Sequence, residues 1–141
     1  MSLVYWDSML FIYQFDDHPV YGPHVARIVE RMETRKDVLC TSTFAAAEVL
    51  AGPWRVGNWD AVSRCREIFH SPDLRMLEFR LATAEIFAEI RGRFSVSAAD
   101  AVHLACASEA RVDLFLTHDR RLEGKVIPGI QFIANIMMNV L

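Results

Sequence analysis

The chain has 141 residues, 52% of them hydrophobic and 23% charged, which predicts a single folded domain over residues 1–141 and excludes a disordered chain. Its formal net charge of −3 argues against a general DNA-binding surface, which is usually basic. Because no apolar run reaches the roughly 18 residues that span a bilayer, and because the N-terminus lacks the pattern of a signal peptide, we expect a cytoplasmic protein without membrane contact.

The first forty residues predict two strands and two helices. Leu3–Trp6 is an apolar run of strand length that stops at Asp7. Ser8–Phe15 has helical spacing, and the proline at position 19 predicts that this helix ends before it. A second helix is predicted from Pro23 to about Thr34, since proline suits the first helical turn, and Val38–Cys40 is predicted to be the second strand.

The middle of the chain predicts three helices and one strand. Phe44–Ala51 is alanine-rich and is predicted to be a helix that ends at the pair Gly52-Pro53. Asp60–Phe69 is predicted to be the next helix, and Arg75–Phe79 is predicted to be the third strand. Ala82–Phe94 then carries apolar side chains at helical spacing.

The last third of the chain predicts one helix and two strands. Ser97 is placed to cap a helix over Ala98–Ala110, and Asp113–Thr117 is predicted to be the fourth strand. A short fifth strand is expected at Val126–Ile127 or at Ile130–Phe132. Short strands that alternate with helices predict an α/β fold, with a central, mostly parallel sheet of about five strands flanked by helices.

The three cysteines do not form a recognisable metal or disulfide pattern. Cys40, Cys65 and Cys106 are odd in number and far apart, and no Cys-x-x-Cys pair is present. The sequence therefore predicts neither a zinc site nor a disulfide framework. We expect all three to be buried, reduced thiols.

Four acidic residues stand out by where they fall relative to the predicted elements. Asp7 directly follows the first strand, and Asp119 comes two residues after the fourth. In open α/β sheets the functional site lies outside the carboxyl ends of the strands, so these two acids are expected at one edge of the sheet. Glu48 and Asp100 each lie in an alanine-rich helix, where a carboxylate is costly unless it faces a partner, a cavity or a metal.

Taken alone, most of these acids have an ordinary structural explanation. Asp7 could cap the first helix, Asp100 could complement a helix dipole, and Asp119 could be a turn residue. Glu48 resists such an explanation, because a residue in the middle of a helix caps nothing. The four acids together form an ordered pattern that the separate explanations do not predict.

The stretches that contain the four acids carry a family resemblance. They are VYWDS (residues 4–8), TFAAAEVL (43–50), SAADAVHLA (97–105) and LTHDRRL (116–122). In this order and spacing they resemble the PIN-domain family, and within it the VapC-type toxins of bacterial and archaeal toxin–antitoxin pairs. The resemblance extends from Val4 to about Phe132 and implies a central parallel sheet flanked by helices. It also implies a metal-dependent endoribonuclease that acts on RNA, is held inactive by a small cognate antitoxin and forms a homodimer.

The resemblance assigns roles to the four acids. Asp7, Glu48, Asp100 and Asp119 correspond to the family's catalytic carboxylates. Of these, Asp7, Asp100 and Asp119 are expected to be ligands of Mg²⁺ or Mn²⁺, ions that prefer hard oxygen donors. Glu48 is expected to hold a metal-bound water or a second ion. Such an ion would activate a water molecule and stabilise the departing oxyanion of the phosphodiester.

Further polar residues near the acids receive supporting roles. Ser8 and Thr117 match hydroxyl positions of the family, and Arg120 is expected to contact the substrate, since arginine suits phosphate. His118 stands where an asparagine is frequent in the family, and we expect it to be a solvated loop residue. His103, three residues after Asp100, is expected to be a packed and hydrogen-bonded core histidine.

Two apolar features remain open at this point. Trp54 and Trp59 either pack locally or mark a surface for a partner, since tryptophan is enriched at interfaces. Met137 and Met138 lie in an apolar tail that covers either a sheet edge or a dimer face.

Three alternative functions compete with the toxin. The first is a PIN-domain ribonuclease of RNA processing or turnover that has no antitoxin. The second is a receiver-like or phosphatase-like α/β domain, but Met9 stands where a haloacid-dehalogenase phosphatase needs a second aspartate, and Arg80 follows the third strand where a receiver needs its aspartate. The third is a catalytically inactive binding module, which the presence of all four acids argues against.

Overall fold

The computed structural model describes residues 1–141, which form one central sheet covered by helices on both faces. The strands are β1 (Leu3–Trp6), β2 (Val38–Ser42), β3 (Leu74–Leu77), β4 (Leu114–Thr117) and β5 (Phe132–Asn135). The helices are α1 (Ser8–Phe15), α2 (Tyr21–Arg35), α3 (Thr43–Val56), α4 (Trp59–Phe69), α5 (Leu81–Arg93) and α6 (Ala98–Ala110). A single 3-10 turn, Arg120–Leu122, follows β4.

All four strand pairings are parallel, in the order β3-β2-β1-β4-β5. β1 therefore lies at the centre, with Tyr5 opposite Cys40 of β2 on one side and opposite Phe115 of β4 on the other. The chain builds outward from β1 in one direction through β2 and β3, and in the other through β4 and β5. The boundary between β1 and β4 is the topological switch point, where parallel α/β sheets place their sites.

The side chains of β1 alternate between two hydrophobic cores, one on each face of the sheet. Val4 and Trp6 are buried with apolar residues of α1, α2 and α4. Tyr5 points to the opposite face, where it stacks on Phe115 with ring centroids 5.0 Å apart and packs in the core formed with α6. A strand buried on both faces explains the uninterrupted apolar run in the sequence.

The α/β architecture and most of the predicted elements are confirmed. β1, α1 and α6 have the predicted bounds, and the other elements, apart from the end of α3 and the position of β5, shift by one or two residues at an end. The cysteines are free and buried, as expected. No helix combines the length and the apolar character needed to cross a bilayer.

The predicted end of α3 at Gly52-Pro53 is wrong. α3 continues through both residues to Val56, and its backbone ends at Gly57, which has a φ of 68°. Pro53 lacks the N–H that would bond to the carbonyl of Val49. The helical turns before and after Pro53 keep their backbone hydrogen bonds. The helix ends instead where a glycine can adopt the left-handed conformation that closes a helix.

Both predicted positions of the fifth strand are wrong. β5 covers Phe132–Asn135, and its pairing with β4 runs from Leu114 opposite Phe132 to Thr117 opposite Asn135. Ile127 and Ile130 are buried but lie in the preceding loop. Hydrophobic burial therefore marked the wrong residues, because the partner strand determines which part of an apolar segment becomes β5.

Candidate active site

Asp7 and Asp119 lie at the same edge of the sheet, joined through Thr117. The Thr117 hydroxyl donates a hydrogen bond of 2.5 Å to Asp7 Oδ2, and its Oγ1 accepts a bond of 3.0 Å from the Asp119 N–H. The Asp7 N–H also donates to the carbonyl of Leu116, 3.2 Å away. The β1–β4 pairing thus brings together two acids that are more than a hundred residues apart in the chain.

Asp7 caps α1 and also faces the site. Its Oδ1 accepts a hydrogen bond of 3.1 Å from the Met9 N–H, so the capping role expected of an isolated aspartate is present as well. Burial raises the pKa of the Asp7 carboxyl, although the bonds from Thr117 and Met9 act in the opposite direction. A carboxylate whose charge is poorly solvated favours a nearby cation.

Asp100 lies in the first turn of α6 and reaches Asp119. Its N–H donates to the Ser97 hydroxyl, which caps the helix. Burial raises the pKa of the Asp100 carboxyl, and the Asp119 carboxyl, within hydrogen-bond reach, raises it further. Two neighbouring carboxyl groups repel each other when both are ionised, so a third group that carries positive charge stabilises the pair.

Arg121 supplies such a charge to Asp119. Its guanidinium forks onto the carboxylate, with Nε 3.0 Å from Oδ1 and Nη2 2.9 Å from Oδ2, and its backbone N–H lies 2.9 Å from Oδ1. The hydrogen bond from Arg121 is the main reason that the pKa of Asp119 is lowered. Arg120, for which the sequence predicts a substrate contact, is exposed and touches none of the four acids, and its contact with substrate stays a prediction.

A chain of hydrogen bonds that begins in the core ends at Glu48. Glu48 Oε1 lies 2.6 Å from His103 Nε2, and His103 Nδ1 lies 2.7 Å from the Tyr5 hydroxyl. Tyr5 in turn donates a bond of 2.8 Å to Ser42 Oγ, which also caps α3. His103 is a buried core histidine, as predicted, but it also contacts one of the four acids.

The environment of Glu48 keeps its carboxyl ionised. Burial alone would raise its pKa, but hydrogen bonds from His103 and Ser8 and the positive charge of His103 outweigh burial and lower it. Ser8, for which the sequence predicts a supporting role, is thus placed near Glu48. The bond to His103 also directs the carboxylate of Glu48, which lies in the middle of α3.

The carboxylates are not assembled as a ready set of metal ligands in this arrangement. No group of three or more His, Cys, Asp or Glu side chains is placed to hold one ion, so the expected set of Asp7, Asp100 and Asp119 does not converge. In this arrangement Arg121 occupies both oxygens of Asp119. The donors nevertheless fit a hard divalent cation by chemistry, because they are carboxylate oxygens and two of them carry raised pKa values.

His118 is not the solvated loop residue that the sequence predicted. It lies among three rings of the α1–α2 corner, namely Tyr13, His18 and Tyr21, and we call these four residues the aromatic corner. The Tyr13 hydroxyl is 2.6 Å from His118 Nδ1, and the ring centroids of Tyr21 and His118 are 4.2 Å apart. His118 directly precedes Asp119, so the aromatic corner adjoins the acids.

The sequence contained signals for two of the residues it did not assign to the site. Tyr5 lies between Val4 and Trp6, and the alternation of a strand places it on the opposite face, under α6. His103 follows Asp100 by three residues, a spacing that puts both on one side of a helix. Arg121 gave no comparable signal, because Arg120 was equally placed until the 3-10 turn fixed which side chain faces Asp119.

Trp54 and Trp59 pack against each other, with ring centroids 4.7 Å apart, and both remain about half exposed. The apolar tail leaves Met137 and Met138 partly exposed beyond β5. Neither feature touches the four acids.

Comparison with known proteins places the chain among structures with this architecture. The family model described as PIN domain matches residues 4–125. No curated protein matches the chain.

Several solved structures share the fold at low sequence identity. VapBC2 from Rickettsia felis, bound to a DNA fragment from its promoter, has a TM-score of 0.74 and 16% identity over 94% of this chain and 98% of that chain. A toxin–antitoxin complex from Klebsiella pneumoniae has a TM-score of 0.71 and 19% identity, covering 90% and 94%. Mycobacterium tuberculosis VapC20, described as a sarcin–ricin loop cleaving toxin, has a TM-score of 0.65 and 16% identity, covering 79% and 86%.

Proposed function

Because the chain belongs to the PIN-domain family, we propose that it is an endoribonuclease and the toxin of a VapBC-like toxin–antitoxin pair. The observation that carries the proposal is the hydrogen-bonded chain Asp7–Thr117–Asp119 at the topological switch point, with the carboxyl of Asp100 near enough to Asp119 for their charges to interact. Glu48 completes the catalytic set from α3, directed by its bonds to His103 and Ser8. Membership in the PIN-domain family also argues against the receiver-like and phosphatase-like alternatives.

Mg²⁺ or Mn²⁺ is the proposed cofactor, with Asp7, Asp100 and Asp119 as the residues that would hold it. When bound, such a cation supplies a Lewis acid and a bound water of lowered pKa. In the protein, Thr117 orients Asp7 through its hydroxyl, and Arg121 must yield part of its hold on Asp119. The exposure of the Arg121 side chain, 81%, makes that rearrangement inexpensive.

RNA is the proposed substrate, and the cleaved phosphodiester would lie over the four acids. VapC20, which shares the fold, is described as cleaving the sarcin–ricin loop, which supports an RNA substrate for this chain. Arg120 and Arg121 beside the acids provide cations for the flanking phosphates. The net charge of −3 is compatible with this substrate, since four of the eighteen acidic residues belong to the proposed site, where a bound cation would offset their charge.

The proposed protein partner is a small antitoxin encoded beside this chain. The relatives that share its fold were solved as VapBC2 and as a toxin–antitoxin complex, which supports such a partner. The exposed pair Trp54 and Trp59 offers a candidate surface for it or for a second copy in a homodimer. A cytoplasmic location follows from the proposed RNA substrate.

Cleavage of RNA with and without metal tests the proposal directly. Purified protein, freed of any bound inhibitor, should cleave single-stranded RNA with Mg²⁺ or Mn²⁺ and stop when EDTA is added. Asp7→Asn should lower cleavage at least about a hundredfold while the circular dichroism spectrum stays unchanged, because asparagine can still accept the bond from Met9. Equal cleavage by wild type and Asp7→Asn would reject the site.

Expression in cells tests the toxin role separately. Growth should stop when this chain is produced alone and resume when the neighbouring small reading frame is expressed with it. Metal-dependent cleavage without growth arrest would favour the alternative, a PIN-domain ribonuclease of RNA processing or turnover.

A further inference from the structure

We propose that the aromatic corner, formed by Tyr13, His18, Tyr21 and His118, is a subsite that stacks an unpaired base of the RNA beside the cleaved phosphodiester. The proposal rests on the ribonuclease function proposed above and names the part of the substrate that the site would grip.

The aromatic corner is adjacent to the acids in both chain and space. His118 directly precedes Asp119, and Tyr13 bonds to His118 across 2.6 Å. The charge of Asp7 adds to the burial that raises the pKa of Tyr13, so the Tyr13 hydroxyl lies within electrostatic reach of Asp7. A nucleotide next to a phosphate held over Asp7 and Asp119 would therefore reach these rings.

One ring of the aromatic corner is buried, and the other three pack on it and are partly exposed. Tyr13 is only 8% exposed and contacts the other three rings, whereas His18, Tyr21 and His118 are partly exposed. Tyr21 and His18 are stacked at an interplanar angle of 26° with centroids 5.0 Å apart. Bases of single-stranded RNA stack on such surfaces, since every base offers a flat aromatic face.

The positions of the exposed rings are fixed before any ligand arrives. His18 Nδ1 accepts hydrogen bonds from the backbone N–H groups of Val20 and Tyr21, at 3.2 and 3.1 Å. His118 is fixed by its bond to Tyr13. A preordered platform loses less conformational entropy when a base binds.

Arginines lie near the aromatic corner in a chain that is acidic as a whole. Arg27, on the next turn of α2, donates a hydrogen bond of 2.8 Å from Nη2 to His24 Nδ1. Burial lowers the pKa of His118, and the charge of Arg120 lowers it further. These guanidinium groups favour a nucleic-acid segment over an apolar protein segment at this surface.

The α1–α2 turn also carries two acids. Asp16, at the end of α1, lines a cavity together with Arg64 and Cys65 of α4. Asp17 directly precedes His18 and is exposed, so solvent and salt screen its repulsion of a phosphate.

RNA binding by a cleavage-deficient background tests the proposal. In the Asp7→Asn protein, the Kd for a short single-stranded RNA should rise about fivefold to a hundredfold on Tyr21→Leu, the range expected for loss of one stacked base. Tyr21→Phe should keep the Kd within about twofold, because the Tyr21 hydroxyl makes no hydrogen bond. Trp59→Leu, which removes an exposed aromatic ring outside the corner, is the control and should leave the Kd unchanged.

A crosslinking experiment tests the subsite without any substitution of Tyr21. RNA containing 4-thiouridine, irradiated with the Asp7→Asn protein, should crosslink to peptides that contain residues 13–24 or 118. Crosslinks confined to the region of Trp54 and Trp59, or equal Kd values for Tyr21→Leu and Tyr21→Phe, would overturn the subsite.

The outcomes separate this inference from the proposed function. If wild type cleaves RNA with metal while Tyr21→Leu cleaves with an unchanged KM and binds RNA normally, the subsite is wrong and the ribonuclease stands. If Tyr21→Leu weakens only the binding of the antitoxin, the aromatic corner belongs to a protein interface and the subsite is again wrong. Failure of wild type to cleave or bind any RNA removes both proposals.

Discussion

His103 Nε2 lies 2.6 Å from Glu48 Oε1, which joins the core of the protein to one of its four acids. Both ring nitrogens are engaged, since Nδ1 bonds to Tyr5. The Glu48 side chain is one-third exposed, whereas that of His103 is only 5% exposed. A buried side chain therefore sets the direction and the charge state of a carboxylate at the surface.

Replacement of His103 should change Glu48 before it changes the fold. We expect His103→Leu to raise the pKa of Glu48, because the hydrogen bond and charge that lower it are lost while burial remains. It should also cost about 1–3 kcal/mol of stability, since the Tyr5 hydroxyl loses a buried partner. Carbon-detected NMR titration of the Glu48 carboxyl and urea unfolding measure the two effects.

The pH dependence of the free energy of unfolding shows whether the Glu48 carboxylate stabilises the native state. A carboxyl with a lowered pKa stabilises the native state above its unfolded pKa, and this stabilisation is lost as the pH falls through the lowered folded pKa. Wild type should therefore lose stability more steeply than His103→Leu below the ordinary carboxyl range. Identical slopes would show that His103 does not control Glu48.

Asp7→Asn should stabilise the protein while it removes cleavage. Burial raises the pKa of Asp7, so the native state binds the carboxyl proton of Asp7 more tightly than the unfolded chain does. The free energy of unfolding therefore falls as the pH rises from the unfolded pKa to the folded pKa of Asp7. The asparagine variant avoids this loss and should melt at a higher temperature than wild type at neutral pH. Thermal unfolding followed by circular dichroism at several pH values measures the difference.

Asp119→Asn should change the melting temperature in the direction opposite to Asp7→Asn. The pKa of Asp119 is lowered, chiefly by Arg121, so its charged form contributes stability above the ordinary carboxyl range. The variant should melt slightly below wild type at neutral pH, with a small effect because the guanidinium is exposed. Shifts of the same sign for both variants would contradict the assigned environments.

Release of Asp119 from Arg121 should strengthen the binding of divalent cations. Arg121→Gln removes the fork that occupies both carboxylate oxygens, and we expect the Kd for Mn²⁺ to fall about twofold to fivefold, a modest effect because the pair is exposed. Isothermal titration calorimetry measures it. Arg120→Gln removes the same charge from a residue that contacts none of the acids and should change the Kd less; an equal change would mean that net charge alone is responsible.

Pro53 should be a site where stability can be gained. It lies inside α3 without an N–H to donate to Val49, so Pro53→Ala should stabilise the protein by about 1–2 kcal/mol after the loss of rigidity in the unfolded chain is included. Gly52→Ala, where an added Cβ meets no atom within 4 Å, should contribute about 0.5–1 kcal/mol by helix propensity. Urea unfolding distinguishes these gains from the losses expected if the helix ended at these residues.

The parts of the structure that were predictable depend on local patterns. The apolar run of β1, the cap at Ser97 and the spacing in α6 are properties of adjacent residues, and their bounds were predicted without error. β5 was missed because its extent depends on register with β4. The end of α3 was missed because Gly57, rather than the proline, supplies the terminating conformation.

The four acids and their neighbours likewise divide into features that the sequence predicts and features that depend on the tertiary structure. The positions of Asp7 and Asp119 after neighbouring parallel strands could be inferred from element order alone. The roles of His103 and Arg121 could not, since they depend on which face of α6 meets Glu48 and on the turn after β4. The aromatic corner depends on the loop geometry that folds α2 back toward His118, and no spacing in the sequence encodes it.

The central place of β1 between β2 and β4 affects when the protein can act during its own synthesis. A ribosome that has released only the residues before Leu114 has made Asp7, Glu48, Asp100 and the β1–β2 pair, but neither β4, the second neighbour of β1, nor the carboxylate of Asp119. The proposed ribonuclease site therefore cannot assemble until β4 and Asp119 have been made and β4 has paired with β1.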